Sequence, residues 1–210
     1  LNVTVSGVTD TNQVTTIKSL EAVNAETVNV TFTGAATFDD ELVIDANDSG
    51  VKGSIVVNLT AAATFTSGLD MGGGTDVGDG TTTLKIIGTN AQIITGAIDS
   101  LASANQGILE VTNTGGLVTF ASAIGSGNEI KSITIGGAAF DSDVKFSAAT
   151  SAIAINVLGG DASDGTEDST VNFVAATDGA MVLTSGSVAT NVAKVSFTAS
   201  AATTAFTGAI

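Results

Sequence analysis

The residues best suited to chemistry in this sequence are aspartates in two glycine-rich stretches, 69–80 and 159–168. Calcium takes about six to eight oxygen ligands, and glycine between carboxylates lets the backbone curl so that carboxylate and carbonyl oxygens converge on one point. Calcium is therefore the one cofactor that the sequence suggests. The candidate ligands are Asp70, Asp76, Asp79, Asp161, Asp164 and Asp168.

The same stretches also suit solvated turns, because Asp and Gly are common turn residues. Neither stretch has the spacing of the twelve-residue, helix-flanked calcium loop, and neither repeats a Gly-Gly-x-Gly-x-Asp nonapeptide in tandem. A smaller acidic group, Asp39, Asp40 and Glu41, is interpreted as a turn. Calcium binding and plain turn formation both remain open at this point.

The residue types that the chain lacks exclude many enzyme classes. There is no cysteine and no histidine, which excludes thiol nucleophiles, disulfides and imidazole-based acid–base or zinc chemistry. Paired carboxylates that could hydrolyse a glycoside are available in so acidic a chain, but its only aromatic residues are nine phenylalanines at core-like positions. We therefore predict no enzymatic activity, and a polysaccharide-acting enzyme is the alternative.

The charge of the chain argues against two classes of partner. The net charge is −15, from 21 acidic residues and six lysines, and such a field repels phosphate backbones and anionic lipid headgroups. No apolar run approaches the ~20 residues of a membrane helix. We predict neither nucleic-acid binding nor membrane insertion. A cysteine-free, acidic chain rich in Thr, Gly and Ala is typical of bacterial surface proteins, which predicts an extracellular location.

Short strands must position these residues. In 28–38 the apolar residues Val28, Val30 and Phe32 alternate with polar ones, the pattern breaks at Gly34, and small residues lead to Phe38. A period of two predicts a strand with one buried face. The pattern recurs, and the apolar positions that close the copies are Phe38, Phe65, Ile94, Phe120, Phe140, Phe173 and Phe206, at intervals of 27, 29, 26, 20, 33 and 33 residues.

Repetition at such intervals predicts an all-β solenoid, in which each unit buries its apolar face against the next. We expect one elongated β-repeat region over 1–210 that is a fragment or part of a larger surface protein. A Greek-key β-sandwich, in one or two small domains, is the alternative. The segment 16–25 permits either a helical turn or an extended conformation.

Four short motifs resemble the repeats of rickettsial outer membrane protein B, an autotransporter. They are Thr-Gly-Ala-Ile-Asp at 95–99, Ala-Asn-Gln-Gly-Ile at 104–108, Val-Thr-Phe at 118–120 and Ile-Gly at 124–125. The resemblance covers about residues 93–140. It implies a β-helical passenger region that works in adhesion, with a host or neighbouring cell surface as its partner.

Three other motifs are similar to bacterial S-layer proteins of the calcium-binding RTX kind. They are Ile-Lys-Ser-Leu-Glu-Ala-Val at 17–23, Glu-Thr-Val-Asn-Val-Thr at 26–31 and Gly-Gly-Thr-Asp-Val at 73–77. This resemblance implies a crystalline coat that assembles with calcium and is secreted without an N-terminal signal. The chain departs from the family in lacking tandem RTX blocks.

Taken together, these observations predict a non-enzymatic extracellular structural protein that forms a surface layer or filament by self-assembly. Copies of the chain are expected to join through strand edges or through acidic loops bridged by calcium. An adhesin passenger region is the alternative function.

Overall fold

The computed structural model describes residues 1–6, 9–11, 13–19, 26–46, 53–72, 80–101, 106–137, 141–159, 168–184 and 192–198. Every regular element in these residues is a β-strand, and they contain no helix long and apolar enough to cross a membrane. The strands are β1 (Asn2–Val5), β2 (Thr9–Thr11), β3 (Thr15–Lys18), β4 (Thr27–Phe32), β5 (Ala36–Phe38), β6 (Leu42–Asp45), β7 (Ser54–Leu59), β8 (Ala63–Phe65), β9 (Leu69–Gly72), β10 (Thr82–Gly88), β11 (Gln92–Thr95), β12 (Ile98–Ser100), β13 (Gln106–Asn113), β14 (Val118–Phe120), β15 (Ile130–Ile135), β16 (Asp143–Phe146), β17 (Thr150–Leu158), β18 (Ser169–Phe173), β19 (Thr177–Thr184) and β20 (Ala193–Phe197).

The strands form three parallel sheets around one axis. The first sheet has the order β1-β4-β7-β10-β13-β15-β17-β19, the second β2-β5-β8-β11-β14-β16-β18-β20, and the third β12-β9-β6-β3. From β1 to β12 the chain visits the three sheets in turn and then starts the next rung, and from β13 onward its strands alternate between the first and second sheets. The predicted all-β solenoid is therefore confirmed. The sandwich alternative is wrong, because Greek-key sandwiches pair their strands antiparallel.

The pairing within the third sheet becomes shorter along the stack. After β12 it continues through single bridges from Ile98 to Ile124 and from Ile124 to Thr150. At the other end of this sheet, residues 15–18 form strand β3, so the helical alternative for 16–25 is wrong over 16–18. Residues 20–25 of that segment lie outside the described residues.

The core consists of apolar columns that run along the stack, because in-register parallel pairing places equivalent residues of successive rungs side by side. One column of the first sheet contains seven buried residues in register. They are Val30, Val57, Leu84, Leu109, Ile133, Ile155 and Met181. The buried apolar residues of all three sheets belong to one continuous cluster, so each rung covers the apolar face of the next.

Phenylalanines form a second kind of column, on the inner side of the second sheet. The Phe120 and Phe146 rings stack with centroids 5.1 Å apart, the Phe146 and Phe173 rings with centroids 4.9 Å apart, and Phe197 stacks on Phe173. The expected column positions Phe140 and Phe206 lie outside the described residues. Phe146, which is not among the positions expected from the sequence, is in register with both Phe120 and Phe173 and lies between them in the column.

The register of the second sheet shifts by two residues at β11. Ile94 pairs with Ala63 on one side and with Phe120 on the other, which separates the Phe38–Phe65 stack from the Phe120–Phe173 stack. The shift brings the backbone of Gly96 next to Phe65, where a Cβ would lie 2.8 Å from the Phe65 Cβ. Gly96 also has a φ of 105°, so two constraints require glycine here.

We expect Phe146→Ala to lower the free energy of unfolding by about 3–5 kcal/mol, because Phe146 is 1% exposed and stacks on a ring at each side. Urea denaturation followed by circular dichroism measures this change. Ile93→Ala is the control, because Ile93 is 58% exposed on the outer side of the same sheet and its loss should cost less than about 0.5 kcal/mol. Equal losses in the two variants would contradict the aromatic column.

A pair of glycine variants separates steric from conformational strain. Gly68 and Gly96 have φ values of 104° and 105°, but a Cβ on Gly68 would have its nearest neighbour at 3.7 Å. Gly68→Ala should cost about 1–2 kcal/mol from the left-handed conformation alone. Gly96→Ala should cost about 3 kcal/mol or more, because it also displaces Phe65. Thermal unfolding of both variants tests the order, and a larger loss for Gly68→Ala would contradict it.

Candidate functional site

The outer side of the third sheet carries a column of acidic side chains. Asp70 in β9 pairs directly with Asp99 in β12, and the side chain of Glu41, just before β6, is hydrogen-bonded to that of Asp70. Leu69 and Met71 on either side of Asp70 are fully buried, so the alternation of the strand turns Asp70 outward, where it is half-buried. In-register pairing thus places Asp70 beside Asp99, and Glu41 approaches Asp70 from the residue just before β6.

This crowding changes the protonation of Asp70. Partial burial, followed by the nearby charge and hydrogen bond of Glu41 and by the charge of Asp99, raises the pKa of Asp70 to about 6. Desolvation and like charges both disfavour the ionised form of a carboxyl group. A protonated Asp70 can donate a hydrogen bond to Glu41.

The Asp99 carboxylate also forms hydrogen bonds to the next rung. Its Oδ1 accepts hydrogen bonds from the backbone N–H groups of Gly127, at 2.9 Å, and Asn128, at 3.4 Å. The neighbouring Ser100 is 1% exposed, and its hydroxyl lies 2.6 Å from the Glu129 carbonyl oxygen. These contacts hold the turn after Ile124 against β12, where the third sheet narrows to single bridges.

Asp168, from the second predicted stretch, lies elsewhere. It immediately precedes β18 in the second sheet, forms an ion pair with Lys194 of β20 and accepts a hydrogen bond from the Val192 N–H at 2.9 Å. The hydrogen bond from Lys194, and then that from Val192, lower the pKa of Asp168. Its carboxylate joins neighbouring strands, and no strand pairing links β18 with β9, the strand of Asp70.

The other predicted ligands, Asp76, Asp79, Asp161 and Asp164, lie outside the described residues. Within the described ranges, no group of three or more Asp or Glu side chains is arranged to hold one metal ion. Glu41, Asp70 and Asp99 supply the hard oxygens that calcium prefers, but they do not form a complete coordination shell. Calcium binding therefore stays a prediction.

The sequence interpretation missed Asp99 and placed Glu41 in a turn. A signal for Asp99 exists in the spacing of the second and third sheets. In successive rungs the last inward residue of a second-sheet strand is followed four positions later by an inward residue of the third sheet, as in the pairs Phe38–Leu42, Phe65–Leu69 and Ile94–Ile98. Aligning the rungs on these pairs places Asp70 and Asp99 at the same position.

A cavity of about 260 Å³ lies farther along the stack, where the third sheet has narrowed. Asp178 is the one ionisable side chain among the residues that line it, so this cavity does not bring two carboxylates together for acid–base hydrolysis. The lining residues are Ile124, Ser126, Ala149, Thr150, Ser151, Ala176, Thr177 and Asp178.

Comparison with known proteins gives no relative for this arrangement. No protein-family model, no curated protein and no solved structure matches the chain.

Asp70→Asn should stabilise the protein near neutral pH. Folding raises the pKa of Asp70 from 3.8 to about 6, so the folded state binds the Asp70 proton more tightly than the unfolded state. The protonated carboxyl group therefore stabilises the fold below about pH 4, and this stabilisation is lost as the pH rises through 6. We expect the variant to raise Tm by about 2 °C at pH 7.5 and to leave it nearly unchanged at pH 4. Differential scanning calorimetry in the presence of a chelator measures both.

Asp168→Asn is the control for this pH dependence, because the pKa of Asp168 is shifted in the opposite direction. This variant should lower Tm slightly at pH 7.5. A lower Tm for Asp70→Asn at pH 7.5 would contradict the acidic column as a site of repulsion.

Proposed function

We propose that this chain is a non-enzymatic structural protein of the cell exterior that forms a surface layer or filament by self-assembly. The proposal rests on hydrogen bonds between outward polar side chains of successive rungs. Asn29 Nδ2 donates to Asn2 Oδ1 at 3.0 Å, and Asn58 Nδ2 donates to Thr31 Oγ1 at 3.2 Å. Such contacts brace a stack lengthwise.

Ion pairs support the same role. The described residues contain three ion pairs between neighbouring rungs. Lys18–Asp45 and Lys85–Glu110 join neighbouring strands, and Lys194–Asp168 joins β20 to the residue just before β18. Exposed ion pairs contribute little stability singly, but here they favour one register between rungs. The resulting function is geometric, because a continuous core and braced outer sides make a rod or tile that keeps its shape.

Strand edges supply one means of joining copies. A parallel strand edge can accept a further strand through main-chain hydrogen bonds, so strand addition is one proposed way for copies to join.

Calcium is the proposed aid to assembly. The net charge of −15 opposes contact between copies, and partial burial, followed by the like charges of Glu41 and Asp99, raises the pKa of Asp70 in the third sheet. A divalent cation held between acidic loops would reduce both effects. The extracellular location is proposed from composition, and the adhesin passenger region is retained as the alternative function.

Electron microscopy of the purified full chain tests this function. We expect ordered sheets or filaments in calcium and their dispersal by a chelator. Magnesium at equal concentration is the control, because it has the same charge but keeps a rigid, mostly hydrated six-ligand shell, and it should support assembly poorly.

Dispersed monomers in both calcium and chelator would contradict self-assembly. Monomers that bind cells regardless of chelation would support the adhesin instead. Turnover of a polysaccharide by the purified chain would contradict the non-enzymatic role.

A further inference from the structure

The first sheet combines a large outer side with a balanced charge. Its eight strands contain four ionisable side chains, Lys85, Lys131, Glu110 and Asp178, so their charges cancel, whereas the whole chain carries −15. Copies of an acidic chain repel one another in general. Contact between two copies is therefore less opposed over the first sheet than over the chain as a whole.

The other two sheets are less suited to such contact. The third sheet carries Asp45, Asp70 and Asp99 against Lys18. The strands of the second sheet also balance in charge, but four of them, β2, β5, β8 and β14, have only three residues. Strands of the first sheet have four to nine residues and present at least two outward residues each.

Among the residues that the structure describes, one ion pair joins two strands of the first sheet. Lys85 is in β10 and Glu110 is in β13, the fourth and fifth of the eight strands. They are directly in register, with Lys85 Nζ 2.6 Å from Glu110 Oε2 and side chains 35% and 30% exposed. A two-fold axis that runs parallel to the strands between β10 and β13 would place Lys85 of one copy over Glu110 of the other.

The same axis matches the outward residues on each side of the centre. Through in-register pairing, the column of Lys85 and Glu110 continues to Thr31 and Asn58 in one direction and to Thr134 and Asn156 in the other. The axis would place Asn58 opposite Thr134 and Thr31 opposite Asn156. Asn58 and Thr31 of one chain already form such an amide–hydroxyl hydrogen bond, at 3.2 Å.

We infer that two copies of this chain pack antiparallel through the outer sides of their first sheets, about this two-fold axis. An isologous interface must be self-complementary, and both the central charges and the Asn–Thr pairs meet that condition. The inference rests on the proposed function and specifies one lateral contact of the assembly, which is distinct from strand addition at the ends.

The area is sufficient for a stable contact. Eight strands about 4.8 Å apart and two to three outward columns about 7 Å apart cover roughly 500–800 Å². Two copies would then bury about 1,000–1,600 Å², which reaches the size of specific protein interfaces. Apolar contact would come from two half-buried side chains beside the central column, Ile87 and Leu158.

Sedimentation velocity of the full chain in a chelator, over a range of concentrations, tests the inference. The wild-type chain should dimerise without calcium. Lys85→Glu and Glu110→Lys should each weaken the dimer by about tenfold or more, because each places like charges across the axis. An equimolar mixture of the two variants should restore dimers, since each variant then faces opposite charges.

Thr134→Lys and Thr119→Lys form a matched pair. Both threonines are half-buried and point outward, Thr134 on the first sheet and Thr119 on the second. Thr134→Lys should weaken the dimer, and Thr119→Lys should not, while thermal unfolding confirms that both variants remain folded.

Three outcomes would overturn the inferred interface. They are a wild-type monomer in chelator, failure of the mixed charge variants to recover dimers, and a larger effect of Thr119→Lys than of Thr134→Lys. Any of these outcomes combined with calcium-dependent sheets or filaments would leave self-assembly intact and reject only this face. Monomers in both calcium and chelator would reject the proposed function as well.

Discussion

In-register hydrogen bonding between parallel strands is the constraint on which the rest of this structure depends. Each rung satisfies the backbone of the next, as where the Thr60 N–H donates to the Phe32 carbonyl and the Thr66 N–H donates to the Phe38 carbonyl. Once this register is set, every side chain lies beside its equivalents in adjacent rungs. The chemistry of each column then follows from whether equivalent residues attract or repel one another at about 4.8 Å.

For apolar residues this constraint is favourable. Stacked phenylalanines bury large surfaces with offset ring contacts, and Phe120, Phe146 and Phe173 are all at most 1% exposed. For acidic residues it is unfavourable, and partial burial, followed by the nearby charges of Glu41 and Asp99, raises the pKa of Asp70. Where a lysine is in register with an acidic residue of the neighbouring strand, the two charges attract instead, as for Lys85 and Glu110.

The outer sides of the sheets differ in charge. Because the core runs lengthwise, the outward side chains of each sheet can differ without changing the apolar columns. The third sheet has an acidic column around Asp70, whereas the first has a balanced charge around Lys85 and Glu110. A stack with such distinct sides can present one side to ions and another to a second copy, which is consistent with a role based on shape and assembly.

The sequence alone determined the fold class, because period-two alternation and closing apolar residues such as Phe38, Phe65 and Phe120 are local properties of the chain. It did not determine the register. Phe140 and Phe146 both follow a short alternating run, and only pairing with Phe120 and Phe173 decides that Phe146 belongs to the column. The acidic site also depends on the pairing of rungs. Asp70 was predicted as a ligand from the composition of its segment, but it lies near Glu41 and Asp99 only when the rungs stack. These neighbours are 26 to 29 residues apart in the sequence. Tertiary pairing brings them together, and local sequence patterns do not specify it.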